Sequence, residues 1–167
     1  MFSRSMRLLM IVALFPASAM AQGIARGTRA PEIDLATLDG GRIKLSALRG
    51  RPVVVTFWGT WCQACRDELP ELVAAQKRYS ESGMQVLAVN QRDQELSTKD
   101  VASLIKEYSV PFIVALDERG KSRRNFRLTA IPTTVFIDSA GVIQHVHTGA
   151  ISRAELAQGL VAILRQK

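Results

Sequence analysis

Two cysteines, Cys62 and Cys65, are the residues whose type and spacing could most directly carry out chemistry. They are the only cysteines in the 167-residue sequence, and Gln63 and Ala64 lie between them. A disulfide between them would close a loop too short to add much stability, and a chain of this length can bury an apolar core without cross-links. The pair is therefore predicted to be redox-active, making and breaking a disulfide.

The cysteines lie where a predicted buried strand gives way to a predicted helix. Val53–Trp58 is a continuous apolar, β-branched run of the kind found inside a parallel or mixed sheet. From Cys62 onward the pattern is helical, with inward positions at Leu69, Leu72, Val73 and Gln76. A helix N-terminus stabilises a thiolate, so Cys62 is predicted to be the low-pKa nucleophile. Cys65, one turn further in and more buried, is predicted to be the resolving thiol.

The remaining elements are predicted to build an α/β fold around this junction. Two alternating runs, Glu32–Leu35 and Arg42–Leu45, form a predicted hairpin, and Pro70 is expected to kink the first helix without ending it. The later segments are a strand over Met84–Asn90, a helix capped by Ser97 and Asp100, a strand over Phe112–Leu116, a short helix over Ser122–Phe126, strands over Thr133–Ile137 and Val142–His147, and a helix capped by Ser152 and Glu155. This order predicts one domain, residues 22–167, with a mixed sheet covered on both faces.

Residues 1–21 have the composition of a signal peptide. Arg4 and Arg7 precede an apolar run, and Ala19-Met20-Ala21 has the small residues of a cleavage site. An uncleaved membrane anchor is the alternative, but the apolar stretch is shorter than the roughly 20 residues that a span needs. We expect cleavage after Ala21 and export to the periplasm or another extracytoplasmic compartment.

The charge of the chain is mildly basic. Its net charge of +7 falls by two when the signal-peptide arginines are removed, which does not indicate a nucleic-acid partner. Five of the cations lie close together: Arg119, Lys121, Arg123, Arg124 and Arg127. We expect a solvated helix face here, with an acidic partner or anionic lipid as the alternative.

Two segments resemble the exported TlpA/ResA-type thioredoxins. Phe57–Pro70 is similar to their active-site segment, and Ala130–Thr134 is similar to their cis-proline loop. The resemblance implies a thioredoxin fold with an N-terminal β-hairpin and an added strand and helix, which Phe112–Phe126 supply. It also implies that Pro132 is cis and packs against the cysteines; X-Pro is the one place where a cis bond costs little. The residues implied to contact a bound polypeptide are Trp61, Ile131 and Pro132.

Glu68 is the predicted proton carrier. Thioredoxin has a buried aspartate on the strand before its cysteines, but the equivalent residue here is Thr56, which cannot carry a proton at a useful pKa. Glu68 lies three residues after Cys65 on the same helical face, and ResA-like proteins have a glutamate at the matching place. A half-buried carboxylate beside a thiol is expected to have a raised pKa. The alternative is that Glu68, which like Asp67 comes early in the helix, is only a first-turn partner of the helix dipole.

The direction of exchange is predicted from the residues beside the cysteines. Gln63 and Ala64 offer no histidine or charge to stabilise a reduced thiolate strongly, unlike the strong oxidant DsbA, and Ile131 resembles the residue before proline in reducing relatives. We predict an exported protein-disulfide reductase, a monomer without cofactor or metal, supplied with electrons by a membrane thiol donor. The resemblance implies disulfide-bearing exported partners in cytochrome c biogenesis, oxidase assembly or elsewhere, without choosing among them.

Other functions are possible for the same cysteine pair. An oxidase or isomerase would have the same fold. A metal site would join the cysteines with His145 and His147, which are otherwise expected to lie exposed on one face of a strand. A purely structural disulfide is disfavoured by the activating helix N-terminus. A Sco-type copper chaperone would need three residues between its cysteines, and a peroxiredoxin would need threonine where Gly59 stands.

Overall fold

The computed structural model describes residues 24–164, and this part of the chain forms one seven-stranded sheet with four helices. The strands are β1 (Asp34–Thr37), β2 (Arg42–Lys44), β3 (Val53–Trp58), β4 (Gln85–Asn90), β5 (Ile113–Leu116), β6 (Thr133–Ile137) and β7 (Ile143–Thr148). The helices are α1 (Gln63–Tyr79), α2 (Thr98–Glu107), α3 (Lys121–Asn125) and α4 (Arg153–Leu164). No helix in residues 24–164 is long and apolar enough to span a bilayer. The signal-peptide prediction for residues 1–21 lies outside the described residues.

The sheet has the strand order β2-β1-β5-β4-β3-β6-β7, and β3 lies inside it as predicted. All six residues of β3 are buried, with β4 running parallel on one side and β6 antiparallel on the other. The chain passes from β3 through α1 to β4 and then through α2 to β5, with all three strands parallel. Because such crossovers are right-handed, both helices lie on the same face of the sheet.

Apolar clusters cover both faces of the sheet. On the α1 side, Val54 and Phe136 from the sheet pack with Leu72 of α1 and Leu160 of α4. A Cβ on Gly159 would lie 2.3 Å from the Phe136 ring, so a glycine is needed for α4 to approach β6 this closely. The opposite face is covered by the N-terminal segment, by the short 3₁₀ turn Leu45–Leu48 and by the end of α3. The predicted mixed sheet covered on both faces is confirmed.

The predicted elements are present, with shifted ends. The first hairpin pairs β1 with β2, but Leu45 belongs to the 3₁₀ turn and not to the strand. The hairpin of β6 and β7 closes as predicted, and α1 continues through Pro70. Two predicted caps form as well. Ser97 accepts from Asp100 N at the start of α2, and Ser152 N donates to Glu155 before α4.

Candidate active site

The cysteine pair lies at the junction of β3 and α1, where the sequence places it. Cys62 is the N-cap of α1, and its Sγ accepts a hydrogen bond from Cys65 N at 3.2 Å. The two residues form a disulfide with a Cα–Cα distance of 5.3 Å. Cys62 keeps 8% of its surface exposed and Cys65 none, which confirms the predicted difference in burial. Cys62 is therefore the residue of the pair that lies nearer the surface.

The cis-proline loop lies against the apolar cluster to which the cysteines belong. The Ile131–Pro132 peptide bond is cis, as the resemblance implied, and Pro132 is buried. Ile131 packs against the apolar cluster that contains both cysteines. Trp61 is 54% exposed and its indole folds back over Gly59, where a Cβ would lie 2.8 Å from the indole nitrogen.

A shallow groove of about 230 Å³ runs between these two loops. We call it the Trp61–Ile131 groove; its lining residues are Trp61, Gln94, Arg123, Leu128, Thr129, Ala130 and Ile131. The structure thus brings two of the three predicted contact residues to one open surface beside the disulfide. Pro132 does not line the groove.

Glu68 is more buried than expected and is held by two donors. Its exposed fraction is 2%; Oε1 accepts from the Thr56 hydroxyl at 3.0 Å and Oε2 from the backbone N–H of Ile151 at 3.2 Å. Burial raises its pKa to about 7, although both hydrogen bonds act in the opposite direction. The predicted raised pKa is confirmed in direction and cause. A carboxyl with this pKa can accept and release a proton near neutral pH.

The alternative role of Glu68 as a dipole partner is wrong. The helix begins at Gln63, so neither Asp67 nor Glu68 falls in its first turn. Asp67 is exposed and accepts from the Gln63 side chain at 2.7 Å, whereas Glu68 is buried against the sheet. The Ile151 contact could not have been found in the sequence, because a backbone donor 83 residues away leaves no side-chain signal.

Family comparison places this arrangement among known proteins. Residues 26–146 match the AhpC/TSA family. The chain belongs to that family. It is 36% identical over 138 residues to the thioredoxin-like protein YneN of Bacillus subtilis, covering 83% of this chain and 80% of YneN. It is 32% identical to the thiol-disulfide oxidoreductase ResA of the same organism, covering 80% and 73% of the two chains.

A solved structure has the same fold as this AhpC/TSA-family chain. A structure described as a thiol:disulfide interchange protein DsbE from Chlorobium tepidum superposes with a TM-score of 0.77 at 31% identity, covering 84% of this chain and 99% of that one. The predicted ResA-like resemblance and thioredoxin fold are confirmed. With its disulfide at the head of α1, the chain is a thiol–disulfide oxidoreductase of that fold.

The histidines of this oxidoreductase do not join the cysteines. His147 lies with Nδ1 3.6 Å from Glu155 and Nε2 3.2 Å from the carbonyl of Ala150. Within residues 24–164, no three His, Cys, Asp or Glu side chains are placed to share a metal ion. The expectation of exposed histidines is wrong, since both are half-buried, and burial lowers the pKa of His145.

The basic segment is less uniform than the predicted solvated helix face. Arg119, Lys121 and Arg124 are exposed, but Arg123 is only partly exposed and forms an ion pair with Asp93 at 3.0 Å. Arg123 also lines the Trp61–Ile131 groove. The prediction is therefore wrong for Arg123, the residue of this segment that lines the groove.

Proposed function

We propose that this oxidoreductase reduces disulfides in exported proteins by exchange through Cys62 and Cys65. The observation that carries the proposal is the position of Cys62, which keeps 8% of its surface exposed, at the N-terminus of α1 and next to Trp61 of a groove with apolar side chains on both walls. The helix N-terminus favours a Cys62 thiolate. The groove offers a surface on which a polypeptide can lie next to it.

The exchange takes two steps. The Cys62 thiolate attacks one sulfur of the partner disulfide, forms a mixed disulfide and expels the other partner sulfur as a thiolate, which takes a proton from solvent. Cys65 then loses its proton to the carboxylate of Glu68 and attacks the Cys62 sulfur. The second partner thiolate leaves, so the partner gains two electrons and this protein is left with the Cys62–Cys65 disulfide.

Glu68 suits the second step because of its place and its pKa. It lies one helical turn after Cys65, on the same helix face. With a pKa of about 7, the carboxyl is partly ionised at neutral pH and can take the thiol proton where water has little access. We propose Cys62 as nucleophile, Cys65 as resolving thiol and Glu68 as proton acceptor, with Trp61 and the cis-proline residues Ile131 and Pro132 contacting the partner.

We also propose the compartment, the electron donor and the partners of this reaction. Residues 1–21 direct export to the periplasm or an equivalent compartment, where the mature monomer works without cofactor. A membrane thiol donor then returns two electrons to the Cys62–Cys65 disulfide. The partners we propose are disulfide-bearing exported proteins, for example in cytochrome c biogenesis or oxidase assembly.

The reduction potential tests the direction. The purified protein is equilibrated with dithiol buffers of graded potential, and the thiols are counted by mass spectrometry after alkylation. We expect a value near that of thioredoxin, about −270 mV, together with turnover of insulin disulfides. A value near that of DsbA, about −120 mV, with no insulin reduction would make the protein an oxidase.

A further inference from the structure

We propose that Glu95 is a positioning residue that sets the spacing between the two walls of the Trp61–Ile131 groove. Glu95 ends the turn Gln91–Glu95, which we call the β4–α2 turn and which includes the 3₁₀ segment Arg92–Gln94. The inference rests on the proposed function, because it concerns how a partner polypeptide is received. Its basis is a set of contacts from this one turn to both sides of the groove.

On the cysteine side, Glu95 holds the loop that carries Trp61. Its Oε1 accepts from the backbone N–H of Thr60 at 2.7 Å, and its Oε2 accepts from the Thr60 hydroxyl. Oε1 also accepts from the side-chain amide of Asn90, the last residue of β4, at 2.7 Å. Hydrogen bonds to a charged acceptor are the stronger kind, so three of them fix this loop to the end of β4.

On the cis-proline side, the same turn holds α3. Asp93 forms an ion pair with Arg123 at 3.0 Å, and the backbone N–H of Asp93 donates to the carbonyl of Asp117 after β5 at 3.3 Å. Arg123 lines the groove, and Leu128 and Ile131 follow it in the chain to form the opposite wall. The β4–α2 turn is therefore tied to both walls.

The turn is stiff enough to act as a spacer. Gln94 N donates to the carbonyl of Gln91 at 2.8 Å, and Glu95 N donates to the carbonyl of Arg92 at 3.2 Å. The Arg92 guanidinium closes the turn by donating to the carbonyl of Glu95 at 3.1 Å. Since both carboxylates project from one hydrogen-bonded turn, movement of one wall relative to the other requires contacts of the turn to break.

This role predicts different effects on large and small reagents. A polypeptide needs both walls at the correct distance, whereas iodoacetamide needs only the Cys62 sulfur. Loss of the Glu95 contacts should therefore weaken exchange with a protein disulfide and leave alkylation of Cys62 unchanged. Misplaced substrates react more slowly even when the reacting groups are intact.

The test compares Glu95→Ala, Glu95→Gln and Glu118→Ala in the purified protein. For Glu95→Ala we expect kcat/KM for insulin to fall about 10-fold, mainly through KM, while Cys62 alkylation stays within about two-fold. Alkylation is measured at a pH where titration shows the thiol to be fully ionised. Glu95→Gln keeps an acceptor for Thr60 N and should recover most of the loss. Glu118→Ala removes an exposed carboxylate and should match wild type.

Two results would overturn the inference: equal insulin kinetics in wild type and Glu95→Ala, or equal losses in insulin reduction and alkylation. If Glu95→Ala does not fold, Glu95→Asp replaces it, because the shorter side chain cannot reach Thr60 and Asn90 together. If wild type itself fails to reduce insulin, the proposed direction fails instead. The same variants are then compared in oxidising a reduced, unfolded protein, where the same loss without an alkylation effect is expected.

Discussion

Glu68 and Glu95 accept hydrogen bonds on the two flanks of the cysteine pair in sequence, Glu68 from Thr56 and Ile151 and Glu95 from Thr60 and Asn90, and their surroundings differ. Glu68 is a residue of α1 with 2% exposure and two donors, and burial raises its pKa to about 7. Glu95 is partly exposed and accepts three hydrogen bonds from Thr60 and Asn90. The same chemical group suits the proton transfer that we propose for Glu68 and the loop positioning that we propose for Glu95, because burial and the number of donors differ.

The largest expected effect concerns Glu68→Gln, which keeps the size of the side chain and removes its ionisation. We expect insulin reduction to slow by about 10- to 100-fold, the lower part of the usual range for general acid–base catalysis. The apparent pKa of the thiols should fall, because the variant no longer places a second negative charge near them. Stopped-flow exchange and a thiol titration measure the two effects.

Glu71→Gln is the matched control for this experiment. Glu71 lies three residues further along α1 on its outer side, where it pairs with Arg153 of α4 at 2.8 Å. The exchange rate and the thiol titration of Glu71→Gln should equal those of wild type. If Glu68→Gln has the same exchange rate and the same thiol titration as wild type, Glu68 takes no part in the mechanism.

The second prediction concerns stability against pH. Folding raises the pKa of Glu68 from its ordinary 4.5 to about 7, so between these values the folded protein binds more protons than the unfolded chain. The stability that neutral Glu68 provides is full below pH 4.5 and is lost as the pH rises to about 7. The loss amounts to about 3 kcal/mol.

Urea unfolding of the oxidised protein at several pH values measures this loss. Glu68→Gln should lack this component of the pH dependence, and Glu71→Gln should keep it. Parallel curves for wild type and Glu68→Gln would show that the carboxyl does not change its protonation on folding.

A smaller effect is expected for Thr56→Val, which removes the hydroxyl that donates to Glu68. That hydrogen bond favours the ionised carboxylate, so its loss should raise the pKa of Glu68 further. The pH profile of exchange should move upward by about one pH unit, with the maximum rate retained. An unmoved profile with a lower maximum would indicate damage to the fold rather than to the proton acceptor.

The smallest effect is expected for the double change of His145 and His147 to alanine. Both lie on β7, and His147 contacts Glu155 and Ala150 rather than the cysteines. Insulin reduction should stay within about two-fold of wild type, as is usual for changes away from the reacting groups. A large loss that zinc or copper restores would revive the metal-site interpretation.

The sequence predicts those features of the fold that depend on residues close together in the chain. Val53–Trp58 is buried as a strand, the cysteines begin α1, and the Ile131–Pro132 bond is cis. It does not predict contacts between distant segments. Thr60 and Glu95 are 35 residues apart, and the β4–α2 turn has no periodicity to show where its side chains lie. The sequence does not show the burial of the histidines for a related reason, since α4 covers part of β7.

In the exchange that we propose, Cys62 attacks the partner and Cys65 resolves the mixed disulfide. Cys65→Ser and Cys62→Ser, each reduced, are mixed with a disulfide-bearing protein, quenched with acid and separated without reductant. We expect a covalent complex with Cys65→Ser, joined through Cys62 and released by dithiothreitol, and little or none with Cys62→Ser. No complex with either variant, or more complex with Cys62→Ser, would contradict it.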